Sequence, residues 1–207
     1  MGTLEEIKTQ IEKTVAGARL EIGPNESPSG QRSLLVDGAH AVEMAEFLRD
    51  ELRFDYASNV TGVDWLDLVT KEKVKVKKVV EGVEKEVEET TEKTRKGYLE
   101  AVYHLYSMEL KQGPLIIRMR TENRTDQTHL PSLTPVWRSC EFQEREIFDL
   151  YGILFDGHPD LRRILMWDGF KDHPMRKDYV EPDDYEYEPT PHDEVLEKAK
   201  KHGAAVT

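Results

Sequence analysis

The sequence predicts an α+β fold: a two-layer sandwich of a mixed β-sheet with helices on one face, followed by an extended C-terminal tail. Three observations lead there. Apolar residues recur at three- and four-residue steps in some stretches and alternate in others. The two kinds of stretch are interspersed without the strict alternation of a doubly wound sheet. After Phe170 the chain turns rich in Asp, Glu, Tyr and Pro. The 207 residues can bury one substantial core, but not a second of ordinary size. The expected organisation is an α+β domain over 1–138 with a charged hairpin inserted at about 71–96, a helix and arginine-rich loop over 139–170, and an extended acidic tail over 171–207.

Leu4, Ile7, Ile11 and Val15 stand at helical steps between charged residues, which predicts an amphipathic first helix ending near Gly17. Short strands are expected at Leu20 to Ile22 and Ser33 to Val36, on either side of a Gly-Pro-Asn-Glu-Ser-Pro-Ser-Gly turn region. A second helix follows Asp37-Gly38, with Ala41, Met44, Ala45 and Leu48 on one face. Phe54 to Val63 reads as extended. Tyr98 to Tyr106 and Leu115 to Met119 have the aromatic and branched content of central strands, with a turn expected at Gln112-Gly113-Pro114. Two helices on one face of a mixed sheet result.

Between these strands, Lys71 to Lys78 holds five lysines to one glutamate, and Glu81 to Glu92 six glutamates to one lysine. Val74, Val76 and Val80 alternate and Glu81-Gly82 can turn, so the halves are expected to pair as a hairpin with opposite charges across the strands. Val80, Val83 and Val87 also suit one helical face. At the other end of the chain, Val180 to Pro191 has too few aliphatic residues to build a core and orders only against something else; Val195 to Lys201 can form a short helix.

Composition removes several classes of function. Lysine and arginine total 29 against 41 acidic residues, and the net charge of −12 repels phosphate backbones and anionic lipid surfaces, so no nucleic-acid partner is expected. No run approaches the roughly 18 apolar residues of a membrane-spanning helix, and Met1 to Leu20 has the charged periodicity of a surface helix rather than a signal peptide. The expectation is a cytoplasmic chain with no transmembrane segment, able to sit on a membrane complex. Cys140 is the only cysteine, so an internal disulfide and a multi-thiolate metal or iron–sulfur site on this chain are excluded.

The most distinctive stretch begins at Pro135. Ser139 can cap a helix start and Gly152 can end it in a left-handed turn, giving three turns with marked ends. Ile147, Leu150, Tyr151 and Leu154 form an apolar stripe that Phe148 and Phe155 widen, while Glu141, Arg145 and Asp149 stand four apart in alternating sign. So much apolar surface on so short a helix implies burial on more than one side. Next comes Asp156-Gly-His158-Pro159-Asp160-Leu-Arg162-Arg163, echoed by Lys171-Asp172-His173-Pro174-Met-Arg176. The prolines deny this path regular structure, so its backbone groups must find partners elsewhere. Arginine forks among aromatic residues are the chemistry of buried protein interfaces.

Competing chemistries are weaker. His158, Asp160, Asp172 and His173 can be imagined around a metal, but no rigid ligand spacing holds them. Glu144 and Glu146, two apart on a helix, diverge by about 200° and cannot face one another as an acid–base pair, which leaves ion-paired structural roles. There is no strained serine elbow and no glycine-rich phosphate loop. Tyr151, Trp167 and Tyr179 can stack on a ligand, although packing is the commoner use of such aromatics.

The run Glu144-Arg-Glu146-Ile-Phe-Asp149-Leu-Tyr-Gly152-Ile-Leu-Phe-Asp-Gly157-His158-Pro159-Asp-Leu-Arg162-Arg163-Ile-Leu-Met166 closely resembles the signature of the C-subunit of bacterial respiratory complex I, the NADH:quinone oxidoreductase. His173-Pro174, Arg176-Lys177-Asp178-Tyr179, Gly62-Val63-Asp64 and Val102-Tyr103-His104-Leu105-Tyr106-Ser107 also look like that family. The likeness is strong from Tyr98 to Tyr179 and loose before Phe54. Lys71 to Lys96 is longer than the family leads one to expect, so no role carries over to it.

The resemblance implies a structural subunit of the peripheral arm, on the cytoplasmic side of the inner membrane, that binds no cofactor itself. Its neighbours would be the quinone-cavity subunit and the terminal iron–sulfur subunit. The complex would use NADH, FMN, iron–sulfur clusters and quinone, and would move protons. Glu144, Arg145, Glu146, Asp149, His158, Arg162, Arg163, His173, Arg176 and Asp178 would be polar partner contacts, with Phe148, Tyr151, Trp167 and Tyr179 as packing anchors; none is expected to be catalytic or to bind metal. Charge reversal at Arg163 is then expected to weaken assembly before it alters the fold. Two alternatives stand beside this: the equivalent subunit of a membrane-bound hydrogenase or related dehydrogenase, and a metal-dependent hydrolase using His158 and His173.

Overall fold

The structure is a computed structural model; it describes residues 2–24, 28–80 and 83–180, leaving aside the side chains of 71–93. The chain divides into two compact units, Met1–Lys177 and Asp178–Thr207. Of the second only Asp178, Tyr179 and Val180 are described, so most of the expected acidic tail, including the helix at Val195 to Lys201, lies outside the described residues.

The first helix, α1 (Leu4–Thr14), starts with reciprocal bonds: the Thr3 hydroxyl accepts from the Glu6 amide, and the Glu6 carboxylate accepts from the Thr3 amide at 2.8 Å. It buries Ile7 and Ile11 and ends short of the expected Gly17. β1 (Leu20–Gly23) and β2 (Ser33–Val36) follow. Asp37 then accepts from both the amide and the ring of His40, closing a 3-10 turn that leads into α2 (Ala41–Asp50). The buried face of α2 is Ala41, Met44, Ala45 and Leu48, the set that helical spacing predicts.

β3 (Tyr56–Trp65), β6 (Tyr98–Ser107) and β7 (Gln112–Arg120) complete a five-stranded sheet of order β1-β2-β7-β6-β3. β2 and β7 run parallel and the other pairs antiparallel, so the sheet is mixed as expected. One face collects Leu34 and Val36; Leu115, Ile117 and Met119; Leu99, Ala101, Tyr103 and Leu105; and Ala57 and Val60. All are buried in one core with α1 and α2. A bulge between Ala57 and Asn59 shifts the register by one residue. It is what lets Ala57 and Val60 point to the same face, since side chains alternate along an unbroken strand.

The turn expected at Gln112-Gly113-Pro114 is corrected. Those residues already belong to β7, and the chain reverses before them, where Asp55 accepts from the Met108 amide and the Ser107 hydroxyl from the Leu110 amide. Gly113, at φ +133 with a cis bond to Pro114, lies too close to Tyr106 to carry a side chain; its Cβ would stand 2.6 Å from the ring. The charged insertion is an antiparallel pair, β4 (Leu68–Val80) and β5 (Val83–Arg95), forming a separate two-stranded sheet. Its backbone register sets Lys71 opposite Glu92, Lys75 opposite Glu88, and Val76 opposite Val87.

A third helix, α3 (Glu141–Tyr151), joins α1 and α2 on the core face of the sheet. Gly62 makes that approach possible, because a Cβ there would meet the Tyr151 ring at 2.5–3.0 Å. A short parallel pair, β8 (His129–Pro131) with β9 (Leu154–Asp156), flanks α3.

Candidate functional site

The start of α3 differs from the expected cap. A 3-10 turn at Arg138–Cys140 precedes the helix, Cys140 occupies the capping position, and Ser139 instead donates to the Ala57 carbonyl at 2.8 Å. The exit is as expected, with Gly152 in the left-handed conformation at φ +75 and its amide bonded to the Phe148 carbonyl at 2.9 Å.

The alternating charges Glu141, Arg145 and Asp149 do not pair along the helix, because each is claimed by something off it. Arg145 donates to the consecutive carbonyls of Arg162 and Arg163, both at 3.1 Å, with the Asp160 carboxylate 3.6 Å away. Asp149 does the converse. One of its oxygens accepts from three consecutive amides, Ile164 at 3.0 Å, Leu165 at 2.7 Å and Met166 at 2.8 Å, and the other accepts from Arg163 at 2.6 Å. The backbone groups that the prolines leave without a regular ladder thus find their partners in α3. Burial pushes the Asp149 carboxyl up, but the amides of Met166 and Leu165, the Arg163 guanidinium and the Ile164 amide outweigh it and hold the group below the ordinary aspartate range.

The loop also closes the C-terminal end of the helix, where four carbonyls lack intrahelical donors. Phe148 O is met by Gly152, Asp149 O by His173 Nδ1 and Arg163, Leu150 O by the Met175 amide at 3.1 Å, and Tyr151 O by Arg176 Nε at 2.6 Å. Two arginines thereby sit at the negative end of the helix dipole. Gly152 has no room for a side chain, since a Cβ would run into the His173 ring and lie 2.7 Å from Arg176. Arg176 reaches on to the Arg124 carbonyl, and Arg124 makes a two-pronged pair with Asp64 on β3 at 2.6 and 2.7 Å. Asp64 also accepts from the Lys177 amide at 2.8 Å, fastening the loop's end to the sheet edge.

The two His-Pro sequences have matching uses. His158 accepts the Asp160 amide on Nδ1, which leaves Nε2 to donate to the Glu141 carbonyl at 3.0 Å. His173 donates from Nδ1 to the Asp149 carbonyl, and burial lowers its pKa. The two carbonyls lie eight residues apart on α3, about 12 Å by helix rise, so the histidines cannot share one ion. Among the described residues no group of three or more His, Cys, Asp or Glu is placed to hold a metal.

Glu144 points the other way, into the core. Its oxygens accept from Tyr103 OH at 3.0 Å, the Leu133 amide at 2.9 Å, Ser132 Oγ at 2.5 Å and Thr134 Oγ1 at 2.9 Å. The expected ion pair is corrected: among the described residues Glu144 meets hydroxyls and an amide rather than a cation, because β6 and the Ser132-Leu133-Thr134 turn enclose it. Burial raises its pKa against the pull of those four donors. Burial beside Glu144 likewise pushes the Cys140 thiol up, which keeps it protonated and unreactive. Glu146 stands on the exposed side.

Of the arginines expected to meet a partner, Arg145, Arg163 and Arg176 therefore bind this chain's own helix and loop, and Arg162 is the outward one, paired with Asp160. Phe148 and Tyr151 are half-buried against the core. Asp178 and Tyr179 belong to the second unit. Beside these charged groups the module turns an apolar rim outward: Leu165 is 61% exposed, Met175 54% and Trp167 40%, with Ile164 beside them and Trp167 edge-on to Phe170 at 4.8 Å. Sequence reasoning does not single out Ile164, Leu165 or Met175. It names Asp64 only within the family-like Gly62-Val63-Asp64, without a role, and does not find Arg124, Ser132 or Thr134; the Ser-Leu-Thr between Pro131 and Pro135 is a local hint to the last two.

Residues 34–185 match the family of the respiratory-chain NADH dehydrogenase 30 kDa subunit. The second NADH-quinone oxidoreductase C-subunit of Rhizobium meliloti (strain 1021) is 38% identical over 153 residues, which cover 72% of this chain and 66% of that protein. The C-subunit of Saccharopolyspora erythraea is 35% identical over 152 residues, covering 72% and 49%. That of Coxiella burnetii (strain Dugway 5J108-111) is 34% identical over 184 residues, covering 84% and 74%. The chain thus spans about half to two thirds of the length of the first two of these relatives. Among solved structures, a chain of the membrane-bound sulfane sulfur reductase, an archaeal respiratory membrane complex, shares the fold with a TM-score of 0.57 at 20% identity, over 85% of each chain.

Proposed function

The chain belongs to the family of the respiratory-chain NADH dehydrogenase 30 kDa subunit, and from that premise we propose that it is a structural, non-cofactor-binding subunit in the peripheral arm of a proton-translocating NADH:quinone oxidoreductase. One observation carries the reading: the signature helix and loop are bonded to each other through Arg145, Asp149 and Arg163, and present an apolar rim of Ile164, Leu165, Trp167 and Met175. A loop held by so many internal bonds offers a preformed shape to a partner at little ordering cost, and exposed aromatic and aliphatic anchors are what such a partner buries.

Glu144 is sealed in the core and both histidines bond helix carbonyls, which supports a structural rather than a catalytic role for the module. In this reading electrons pass from NADH through FMN and iron–sulfur clusters to quinone on other subunits. This chain holds the quinone-cavity subunit and the terminal iron–sulfur subunit in place, peripherally, on the cytoplasmic side of the membrane. Among the described residues no helix is long and apolar enough to cross a membrane.

Affinity purification of the tagged full chain from gently solubilised membranes tests this. The flavin subunit, the iron–sulfur subunits and NADH-oxidising activity are expected to come with it. Recovery of the chain without them, or with a nickel–iron subunit in place of the flavin subunit, would overturn the proposal.

A further inference from the structure

A second surface lies where β3, β5, β6 and β7 meet. Trp65 and Tyr98 are register partners with ring centroids 6.2 Å apart. Arg95 lies 5.7 Å from both centroids, Arg120 4.7 Å from that of Tyr98, and the Lys177 ammonium 5.8 Å from that of Trp65. Beneath them Glu100 is fully buried and accepts from Arg118 at 2.5 Å, Arg120 at 2.9 Å and Trp65 Nε1 at 2.9 Å. Arg95, Arg120 and Lys177 thus lie on the two rings, with Arg118 and Lys96 nearby; Glu100 answers Arg118 and Arg120, Asp67 pairs loosely with Lys96 at 3.8 Å, and Asp64 feels the Lys177 charge. Arg95 and Lys177 are exposed and lie against aromatic faces, Lys177 also within the electrostatic reach of Asp64.

This concentration of positive charge stands out in a chain of net charge −12. Stacking on an aromatic face holds a guanidinium plane in one orientation and leaves its N–H edge free for a carboxylate. The buried Glu100 fixes Arg118, Arg120 and the Trp65 indole, so the surface is organised before anything binds. We propose that the Trp65–Tyr98 surface is a docking site for an acidic segment of a neighbouring subunit, whose carboxylates pair with Arg95, Lys177 and the free edge of Arg120. A short acidic segment sees only the local field, because at about 0.15 M salt the screening length is about 8 Å. A long polyanion such as nucleic acid would also meet the chain's overall negative charge. The inference rests on the reading of the chain as a docked subunit and names the chemistry of one contact.

The test uses the full-length chain at physiological ionic strength and three labelled probes: a (Glu-Tyr)6 peptide, a (Lys-Tyr)6 peptide and a single-stranded DNA 12-mer. Saturable binding of the acidic peptide alone is expected, weakened at least tenfold in the Arg95→Glu/Lys177→Gln variant with its melting temperature unchanged. Both side chains are exposed, the Lys177 bond to Asp64 uses the backbone, and glutamine at 177 removes the charge without setting a second carboxylate beside Asp64, so the variant keeps the fold. Equal affinity of variant and parent for the acidic peptide, or DNA binding as tight as the peptide's, would overturn the docking site. This readout is independent of copurification: loss of the peptide effect with normal assembly removes the acidic-segment contact alone, whereas failure to copurify removes the functional reading.

Discussion

Asp149→Ala is expected to lower the stability of the chain by about 3–5 kcal/mol, the usual cost of removing one member of a buried ion pair. The substitution strands Arg163 and leaves the amides of Ile164, Leu165 and Met166 without an acceptor. Urea denaturation at neutral pH measures the loss. The pH dependence has a definite sign. Asp149 is held below the ordinary aspartate range in the folded chain, so between that lowered value and the ordinary one the folded state binds fewer protons than the unfolded. Its contribution is therefore complete above the ordinary range and drains away as pH falls through the lowered value. The stability gap between the parent chain and Asp149→Asn is expected to narrow on acidification. A gap independent of pH would show that the carboxylate charge is not what the loop needs. The same geometry revises the expectation for Arg163→Glu: with its guanidinium on Asp149 and its neighbouring carbonyls, that change should disorder the loop as it weakens assembly.

Glu144→Ala is expected to be comparably damaging, while Glu144→Gln should be tolerated. Alanine leaves Tyr103 OH, Ser132 Oγ, Thr134 Oγ1 and the Leu133 amide around a void, each unsatisfied buried donor costing about 1–3 kcal/mol before relaxation. Glutamine can keep its carbonyl on the Leu133 amide and Tyr103 and turn its NH2 to the two smaller hydroxyls, which rotate to accept. Burial raises the Glu144 pKa, so the folded state holds its proton longer than the unfolded and loses stability as pH rises from the ordinary glutamate range through the raised value. Glu144→Gln is expected to remove that loss, making the variant equal to or more stable than the parent at neutral pH. A large loss of stability in the glutamine variant at neutral pH would mean that the cage requires the charge.

Much of the fold is legible in the sequence because its signals are local. The Thr3 to Glu6 box, the Ala41 to Leu48 face and the Gly152 stop each lie within a few residues, and the face and the stop form as their spacing suggests. The core bulge at Ala57 and the true turn before Gln112 depend on what the neighbouring strand does, which no window along the chain contains. The signature segment is legible as a unit but not in its wiring. Its alternating charges suggest pairs four apart, yet Asp149 takes its partners 14 to 17 residues onward and Arg145 takes the carbonyls of Arg162 and Arg163. That prolines leave backbone groups in need of partners follows from the sequence; that the helix immediately upstream supplies them does not. Gly62 and Tyr151 are far apart along the chain, and only packing reveals why glycine stands there.

If this helix and loop form a preassembled surface for a partner rather than an active site, the outward side chains of the rim are what assembly needs. The most direct measurement is copurification of a tagged Leu165→Glu/Met175→Glu chain, altered only at exposed positions. The expected result is a folded chain with the parent's melting temperature that is lost from the complex, in line with the cost of burying unpaired charge at an interface. A variant that copurifies with the same subunits at the same yield would contradict the docking role.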